Sequence, residues 1–407
     1  MNPSVSDIGH SPSGPPGEWS ETEAALIAKA RALVPVLRER AAEAERIRRI
    51  PDTTDRDFRR AGFYRALQPA RYGGVEGRYG LHTMLAAEAA RGCVSSGWAA
   101  CITACHGWIF GMFPREAQDE LWNAEPEAAV ASSFLPVGPT VSRERDGIRL
   151  SGRWRFSSNA DHCQGVILLA MVPQGNEPPK QHFVFLNRSQ YDIEDVWNAV
   201  GLAATGSNDI IVRDAFAPAH RLLEVMSTRD GHAPGAEANK GYLYSLPLFA
   251  TFAHSLVGAA LGAAQGALDL VGDELAGKTS VANVKLAGQP SIQLRFAEAA
   301  AEIEAARAVL QVDRGRINDM GRLRTLPDDN TRMRYRLNVG YAVKLCVQAV
   351  ERLLPVAGGR GLELHNPLQR AWRDVHAVAQ HIALTWDVQA LNYGAVRLGG
   401  KAGDPRI

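Results

Sequence analysis

The stretch Ser151-Gly-Arg-Trp-Arg-Phe-Ser-Ser-Asn-Ala-Asp-His162 decides the fold, because it reads as a strand set inside a chain that otherwise reads as helix. As extended chain, its period of two puts Trp154, Phe156 and Ser158 on one face and Arg153, Arg155 and Ser157 on the other. An aromatic wall ending in a hydroxyl suits a flat heterocycle, with the ring packed on Phe156 and a ring nitrogen meeting Ser158. A plain amphipathic strand carries the same pattern. Short apolar runs recur around it, within Val141 to Phe156 and Gly165 to Val172, then at Phe183 to Leu186 and Asp209 to Val212. Gly, Asn, Asp and Pro punctuate the gaps.

On both sides the texture is helical. From Glu21 to about Asn123, Ala, Glu, Arg and Leu recur at three- and four-residue spacing, broken at Pro51-Asp52 and Gly73-Gly74. After a loop at Ser227 to Asn239, four segments predict helices over Tyr242–Leu275, Ile292–Met320, Thr331–Val356 and Pro367–Leu398. Helices, strands and helices again imply an α+β chain with its sheet between two helical parts. The expected units are a helical domain over 21–126, a β domain over 127–239 and a helical bundle over 240–407. The Pro-, Gly- and Ser-rich residues 1–20 are expected to be a disordered tail.

Composition narrows the function. The 407 residues are 46% hydrophobic and 22% charged, with a formal net charge of +1, so nothing draws the chain to nucleic acid or anionic lipid. The arginines between Arg38 and Arg49 alternate with Glu and Ala as on a solvated helix face. Five cysteines, with no CxxC pair, fit a reducing compartment, and a cytoplasmic location is expected. Cys105 beside His106 lacks the second cluster that a metal site needs, so no metal is expected. Leu246 to Val271 is long enough to span a bilayer, but His254, Gln265 and Asp269 and its Ala/Gly content predict a buried bundle helix.

Two further stretches carry chemistry. In Trp197-Asn-Ala-Val-Gly-Leu-Ala-Ala-Thr-Gly-Ser-Asn-Asp209, glycines bracket Thr205 and precede Ser207, as in a turn or a loop that grips a polar ligand edge. In Ala357-Gly-Gly-Arg-Gly-Leu362, Gly358 and Gly359 end one helix and Pro367 opens the next.

Together, Trp-x-Phe-Ser-Ser, Gly-Leu-x-x-Thr-Gly-Ser-Asn-Asp and the ending Ala-Gly-Gly…Pro-Leu-Gln-Arg…Arg-Asp-Val-His resemble the acyl-CoA dehydrogenase superfamily. Within it they resemble the group D flavin monooxygenases, the oxygenase components of two-component systems. The likeness runs from about Glu21 to Gly399. It implies an N-terminal helical domain, a central β-barrel, a C-terminal four-helix bundle and a homotetramer.

A dehydrogenase of this superfamily needs a carboxylate base. Its two usual homes fall here on Ala383 and near Phe252, and the Arg-x-x-Phe-Gly motif that grips an FAD pyrophosphate is missing around Thr279 to Asn283. The resemblance therefore points to hydroxylation of an aromatic small molecule (phenolic, indolic or polyketide) through a C4a-hydroperoxyflavin. Reduced FMN or FAD and O2 would be the cofactors. No Gly-x-Gly-x-x-Gly follows a strand, so a separate NAD(P)H:flavin reductase is the expected partner. Dehydrogenation of an acyl-CoA and oxygenation at nitrogen or sulfur are the alternatives.

By the same resemblance Ser158 meets flavin N5, His106 is the base and His381 orients substrate and oxygen, with the two histidine roles exchangeable. Ser133, Phe156, Ser157, Thr205, Ser207, Gly358 and Gly359 are the cofactor candidates. Trp108, Phe110 and Phe252 are the substrate-pocket candidates. His162 and His376 read as structural or surface groups. The Arg and Gly usual in the family motifs are replaced by Ala203-Ala204 and Asn159, which puts the local turn geometry in question.

Overall fold

The computed structural model describes residues 19–275 and 285–407. Nearly all of the expected tail and the whole of Thr279 to Asn283 lie outside the described residues. Five helices open the chain: α1 (Glu21–Ile47), α2 (Asp52–Ala61), α3 (Leu81–Ala90), α4 (Val94–Phe110) and α5 (Arg115–Trp122). Ser20 and Glu23 start α1 with a reciprocal capping box. Every residue of α4 is buried, as expected of a helix that is apolar all round. It forms the axis of the molecule, packed on α3 and on β1 (Val130–Ser133).

The strands follow as β2 (Leu135–Glu144), β3 (Gly147–Ser157), β4 (Gly165–Gln174), β5 (Glu177–Asn187), β6 (Asp192–Glu194), β7 (Asn208–Pro218) and β8 (Leu222–Glu224). They make two four-stranded sheets, in the orders β1-β4-β5-β8 and β2-β3-β7-β6; β1 runs parallel to β4 and the other pairs are antiparallel. Trp154 of β3 ties the sheets together, its indole N–H donating to the Leu169 carbonyl of β4 at 2.8 Å. β4 reads as a continuous apolar run because both of its faces are buried. Val166, Leu168 and Ala170 join one core with Trp154 and the N-terminal helices, while Ile167 and Leu169 join the core that runs into the C-terminal helices.

The C-terminal part holds α6 (Pro234–Ala238), α7 (Leu248–Leu256), α8 (Gly258–Leu275), α9 (Pro290–Leu323), α10 (Asp329–Leu353), α11 (Pro367–Ala379) and α12 (Trp386–Arg397). The Leu248–Leu275 stretch is long and apolar enough to cross a membrane, yet 78% of its apolar window is buried against the rest of the chain. Its packing explains its composition. On α8, Gly258, Gly262 and Gly266 face the α3 carbonyls of Thr83, Ala87 and Arg91, where an added Cβ would sit 2.3, 2.3 and 2.7 Å away.

Two expected helices are each split, Tyr242–Leu275 into α7 and α8 with a turn at Val257, and Pro367–Leu398 into α11 and α12. The Pro367–Leu398 segment breaks after α11 and resumes at Trp386. No proline or glycine marks the break; side chains compete with the helical ladder instead. The Thr385 hydroxyl donates to the Ala379 and His381 carbonyls, and the Ala383 N–H donates to His381 Nδ1 at 3.2 Å.

Candidate active site

The functional stretch departs from simple alternation at Phe156. This residue takes φ +63°, and the β3–β7 register slips between Trp154 and Ser157. A bulky residue in the left-handed region is strained, and such bulges re-aim side chains. The expected shared face of Trp154, Phe156 and Ser158 is therefore corrected: Trp154 is sealed in the core, whereas Phe156 is turned outward and 48% exposed. Arg155 lies over the Phe156 ring at 4.7 Å, and Trp197 meets its edge at 6.1 Å. Ser133, expected at the cofactor, spends its hydroxyl on the Arg155 carbonyl and so braces the bulge from β1. Ser157 is buried, and its hydroxyl has no partner.

Ser158, the first residue after β3, sits inside a chain of hydroxyls. It receives the Trp98 indole N–H at 3.2 Å and lies 2.7 Å from the Ser207 hydroxyl, itself 2.7 Å from the Thr205 hydroxyl. Thr205 donates to the Leu202 carbonyl at 2.9 Å. Thr205 and Ser207 are thus buried behind Ser158 and reach any ligand through it. The turn in question is intact: Asn159 adopts the left-handed conformation (φ 59°, ψ 20°), which Asn tolerates better than most residues. Its amide donates to Thr103 Oγ1 at 3.0 Å and to the Tyr64 hydroxyl at 3.3 Å.

His381, on the turn between α11 and α12, is partly buried 5.7 Å from the Trp98 ring and 6.4 Å from Phe252. Phe134 closes the row, 6.4 Å from Phe252. Because Nδ1 accepts from Ala383, the neutral ring carries its proton on Nε2, for which no protein partner exists among the described residues. Burial and the Arg336 guanidinium lower its pKa to about 4. Ala383 and Phe252, the positions of a dehydrogenase base, flank this ring. Among the described residues no hydrogen bond or ion pair joins a carboxylate to Ser158, Trp98, His106 or His381.

His106 lies two turns along α4 from Trp98. Its Nδ1 donates to the Val130 carbonyl at 3.2 Å, so Nε2 is the acceptor for the Ser132 hydroxyl at 2.7 Å. Burial pushes its pKa down to about 3. His106, expected as the base, has both ring nitrogens engaged, with Ser132 on Nε2. Sequence reasoning chose Ser133 of the Ser-Ser pair and missed Ser132, although β alternation on β1 turns Ser132 and Val130 to one side. It also missed Trp98, which looked like one more apolar residue of α4.

Three other expectations move. Trp108 is fully buried and anchored by its N–H on the Leu243 carbonyl at 2.8 Å. Phe110 packs on Phe113, Trp122 and Phe185. Both are core rather than pocket residues. Gly358 and Gly359 are exposed on the connection between α10 and α11, and no contact brings them to the Ser158 cluster. Of the expected structural histidines, His162 donates from Nε2 to the Ile50 carbonyl at 3.1 Å, and His376 pairs with Glu351 at 3.0 Å. All five cysteines are buried free thiols.

Residues 20–124 match the acyl-CoA dehydrogenase N-terminal domain and residues 254–386 the acyl-CoA dehydrogenase C-terminal domain. The chain is 34% identical over 97% of its length to the oxygenase component of an FADH(2)-dependent resorcinol hydroxylase from Rhizobium sp., covering 98% of that protein. Among solved structures, 3-HSA hydroxylase from Rhodococcus sp. RHA1 superposes with a TM-score of 0.89 at 30% identity, over 94% of this chain and 99% of that one. XiaF from Streptomyces sp., solved with FADH2 and glycerol, gives 0.87 at 27% identity over 95% and 98%. This fold, with Phe252 and Ala383 beside His381 and with such relatives matched end to end, places the chain in the flavin-dependent oxygenase-component branch of the acyl-CoA dehydrogenase superfamily.

Proposed function

We propose that the protein is the oxygenase component of a two-component monooxygenase and hydroxylates a phenolic ring with reduced flavin and O2. The observation that carries this is the exchange at the base positions: Phe252 and Ala383 flank His381 where a dehydrogenase needs a carboxylate. The flavin fits the residues present. Phe156 is held outward by a strained bulge as a ring platform, and Ser157 offers a buried hydroxyl without a partner beside Ser158. Bound there, reduced flavin supplies, from O2, the electrophilic oxygen that the ring receives. FAD is favoured over FMN by the relatives at 34% and 27% identity, one an FADH(2)-dependent hydroxylase and the other solved with FADH2.

The chain's own groups divide the remaining work. A phenol O–H can donate to Ser132 Oγ as the Ser132 proton shifts onto His106 Nε2, making the ring more electron-rich. With its ordinary affinity for protons suppressed by burial, His106 stays neutral and shares the phenol proton through the Ser132 hydrogen bond rather than holding it outright. The neutral Nε2–H of His381 donates to an oxygen between the Trp98 and Phe252 rings. These two rings and Phe134 exclude water from the transfer. A separate reductase partner is supported by the resorcinol-hydroxylase relative being an oxygenase component. A homotetramer is supported by the exposed Leu362, Leu364, Ile382, Leu391 and Leu398 on the C-terminal helices and turns.

The test supplies the purified protein anaerobically with reduced FAD, then mixes in O2 and a panel of phenol, resorcinol, 4-hydroxyphenylacetate and indole. Hydroxylated product from a phenol supports the reading. Hydrogen peroxide alone across the phenols, or bleaching of bound oxidised flavin by an acyl-CoA, refutes it.

A further inference from the structure

The hydroxyl chain behind Ser158 has a direction, and that direction fixes what Ser158 offers. Its far end is the Leu202 carbonyl, which can only accept, so the Thr205 hydroxyl donates there at 2.9 Å. With that single proton committed, Thr205 Oγ1 must accept from Ser207 across 2.7 Å. Ser207 in turn must accept from Ser158, also across 2.7 Å. The Trp98 indole, a donor only, fills one lone pair of Ser158. What Ser158 has left is one lone pair and no proton.

The anchor is itself fixed. Leu202 sits at φ +51°, its N–H held by Asp374 at 2.7 Å and its carbonyl also taking the Trp197 indole N–H at 2.9 Å. Ser158, Thr205 and Ser207 are all buried, so bulk water does not compete to reverse the chain.

A flavin presents N5 differently in its two states: the reduced ring carries an N5–H donor, the oxidised ring a bare N5 acceptor. We propose that Thr205 and Ser207 are positioning residues that lock Ser158 as an acceptor, so that the site selects reduced over oxidised flavin. This rests on the flavin reading above and adds to it which residues set the redox preference.

The experiment measures dissociation constants of the full-length protein for reduced FAD (anaerobic) and oxidised FAD by absorbance and fluorescence titration. Wild type is compared with Thr205→Val, Thr205→Ser, Ser207→Ala and Ser158→Ala. Thr205→Val removes the donor to Leu202 and lets the chain turn over, so Ser158 can point its proton at N5. Reduced FAD should then bind more weakly and oxidised FAD more tightly. The preference for reduced flavin should narrow about three- to tenfold, the worth of one hydrogen bond. For a two-electron couple this lowers the bound flavin's midpoint potential by about 15 to 30 mV. Thr205→Ser should keep the wild-type ratio, and Ser207→Ala should narrow it as Thr205→Val does.

Equal weakening of both flavin forms in Thr205→Val and Ser207→Ala would be plain structural damage and overturns the proposal. So does an unchanged ratio in both variants while Ser158→Ala shifts it. Should Thr205→Val not fold, Ser207→Ala decides by the same criterion. A wild-type protein that binds neither form removes the functional reading, and this proposal with it.

Discussion

Replacing Asp374 by Asn should remove a loss of stability that the wild-type protein suffers as pH rises from about 4 to above 7. Asp374 projects from α11 beneath the Leu202 loop and is 1% exposed. One carboxylate oxygen accepts the Leu202 N–H at 2.7 Å, and the other has no partner. Burial raises its pKa from 3.8 to about 7; the Leu202 N–H pulls it back, Glu45 pushes it up, and Arg373 and Arg370 pull it down. Between these two pH values the folded protein binds the proton that the unfolded chain releases. The favourable contribution is therefore complete below the unfolded value and is lost as pH climbs through about 7. A shift of this size amounts to ~4 kcal/mol at most once both states are ionised. Asn keeps the acceptor for Leu202 and is neutral at every pH; its N–H meets no partner, but neither does the proton of the acid form. Urea melts of both proteins at pH 5, 7 and 8.5 should show Asp374→Asn ahead by only ~1–2 kcal/mol at pH 5, with the gap widening as pH rises. At pH 8.5 Asp374→Asn should be the more stable by ~2–4 kcal/mol. Parallel pH profiles for the two proteins would refute the reasoning, because they would mean that Asp374 is ionised and solvated throughout.

Other perturbations separate catalysis from packing. Ser132→Ala uncouples His106 from the substrate proton and should lower hydroxylation of a phenol about 10²-fold, with O2 consumption diverted to hydrogen peroxide, as a peroxide assay beside product analysis will read. Asn159→Gly keeps the left-handed turn, while Asn159→Ala strains it and also loses two buried hydrogen bonds; thermal melts should rank wild type, then Gly, then Ala, with Ala down by ~2–3 kcal/mol. Gly262→Ala puts a methyl 2.3 Å from the Ala87 carbonyl and should cost ~1–3 kcal/mol in denaturant melts by prising α8 from α3.

What could be read in the sequence was what regular periodicity encodes. The helix–sheet–helix order, the buried α8 and the limits of α9 follow from spacing and from Ala/Gly content. The break at His381 did not, since His381 Nδ1 and Thr385 Oγ1 make it without glycine or proline. The bulge at Phe156 was equally hidden. Alternation assigns a face to each residue only while the register holds, and one residue at positive φ sends Phe156 outward and Ser157 inward. Ser158, His381 and Phe252 reached the site through family motifs rather than through any pattern of their own. Trp98 and Ser132 carried no such motif. Their roles depend on a hydrogen bond to a residue dozens of positions away, at Ser158 and at His106.

The two irregularities have a common consequence. A carboxylate at position 383 or 252 would face the same space as His381, so the scaffold did not have to change for the chemistry to change. What changed is which atoms hold protons. Among the described residues, the hydrogen bonds of Trp98, Ser132, Ser158 and His381 are all made between neutral groups. His106 and His381 are held neutral by burial down to pH values of about 3 and 4. Such groups leave carbon-bound protons alone, because none of them is a strong base. They can still hold an N–H, an O–H and a polar oxygen in place at once. That is what an oxygen transfer to an aromatic ring requires, and it follows from putting uncharged side chains where the fold has room for an acid.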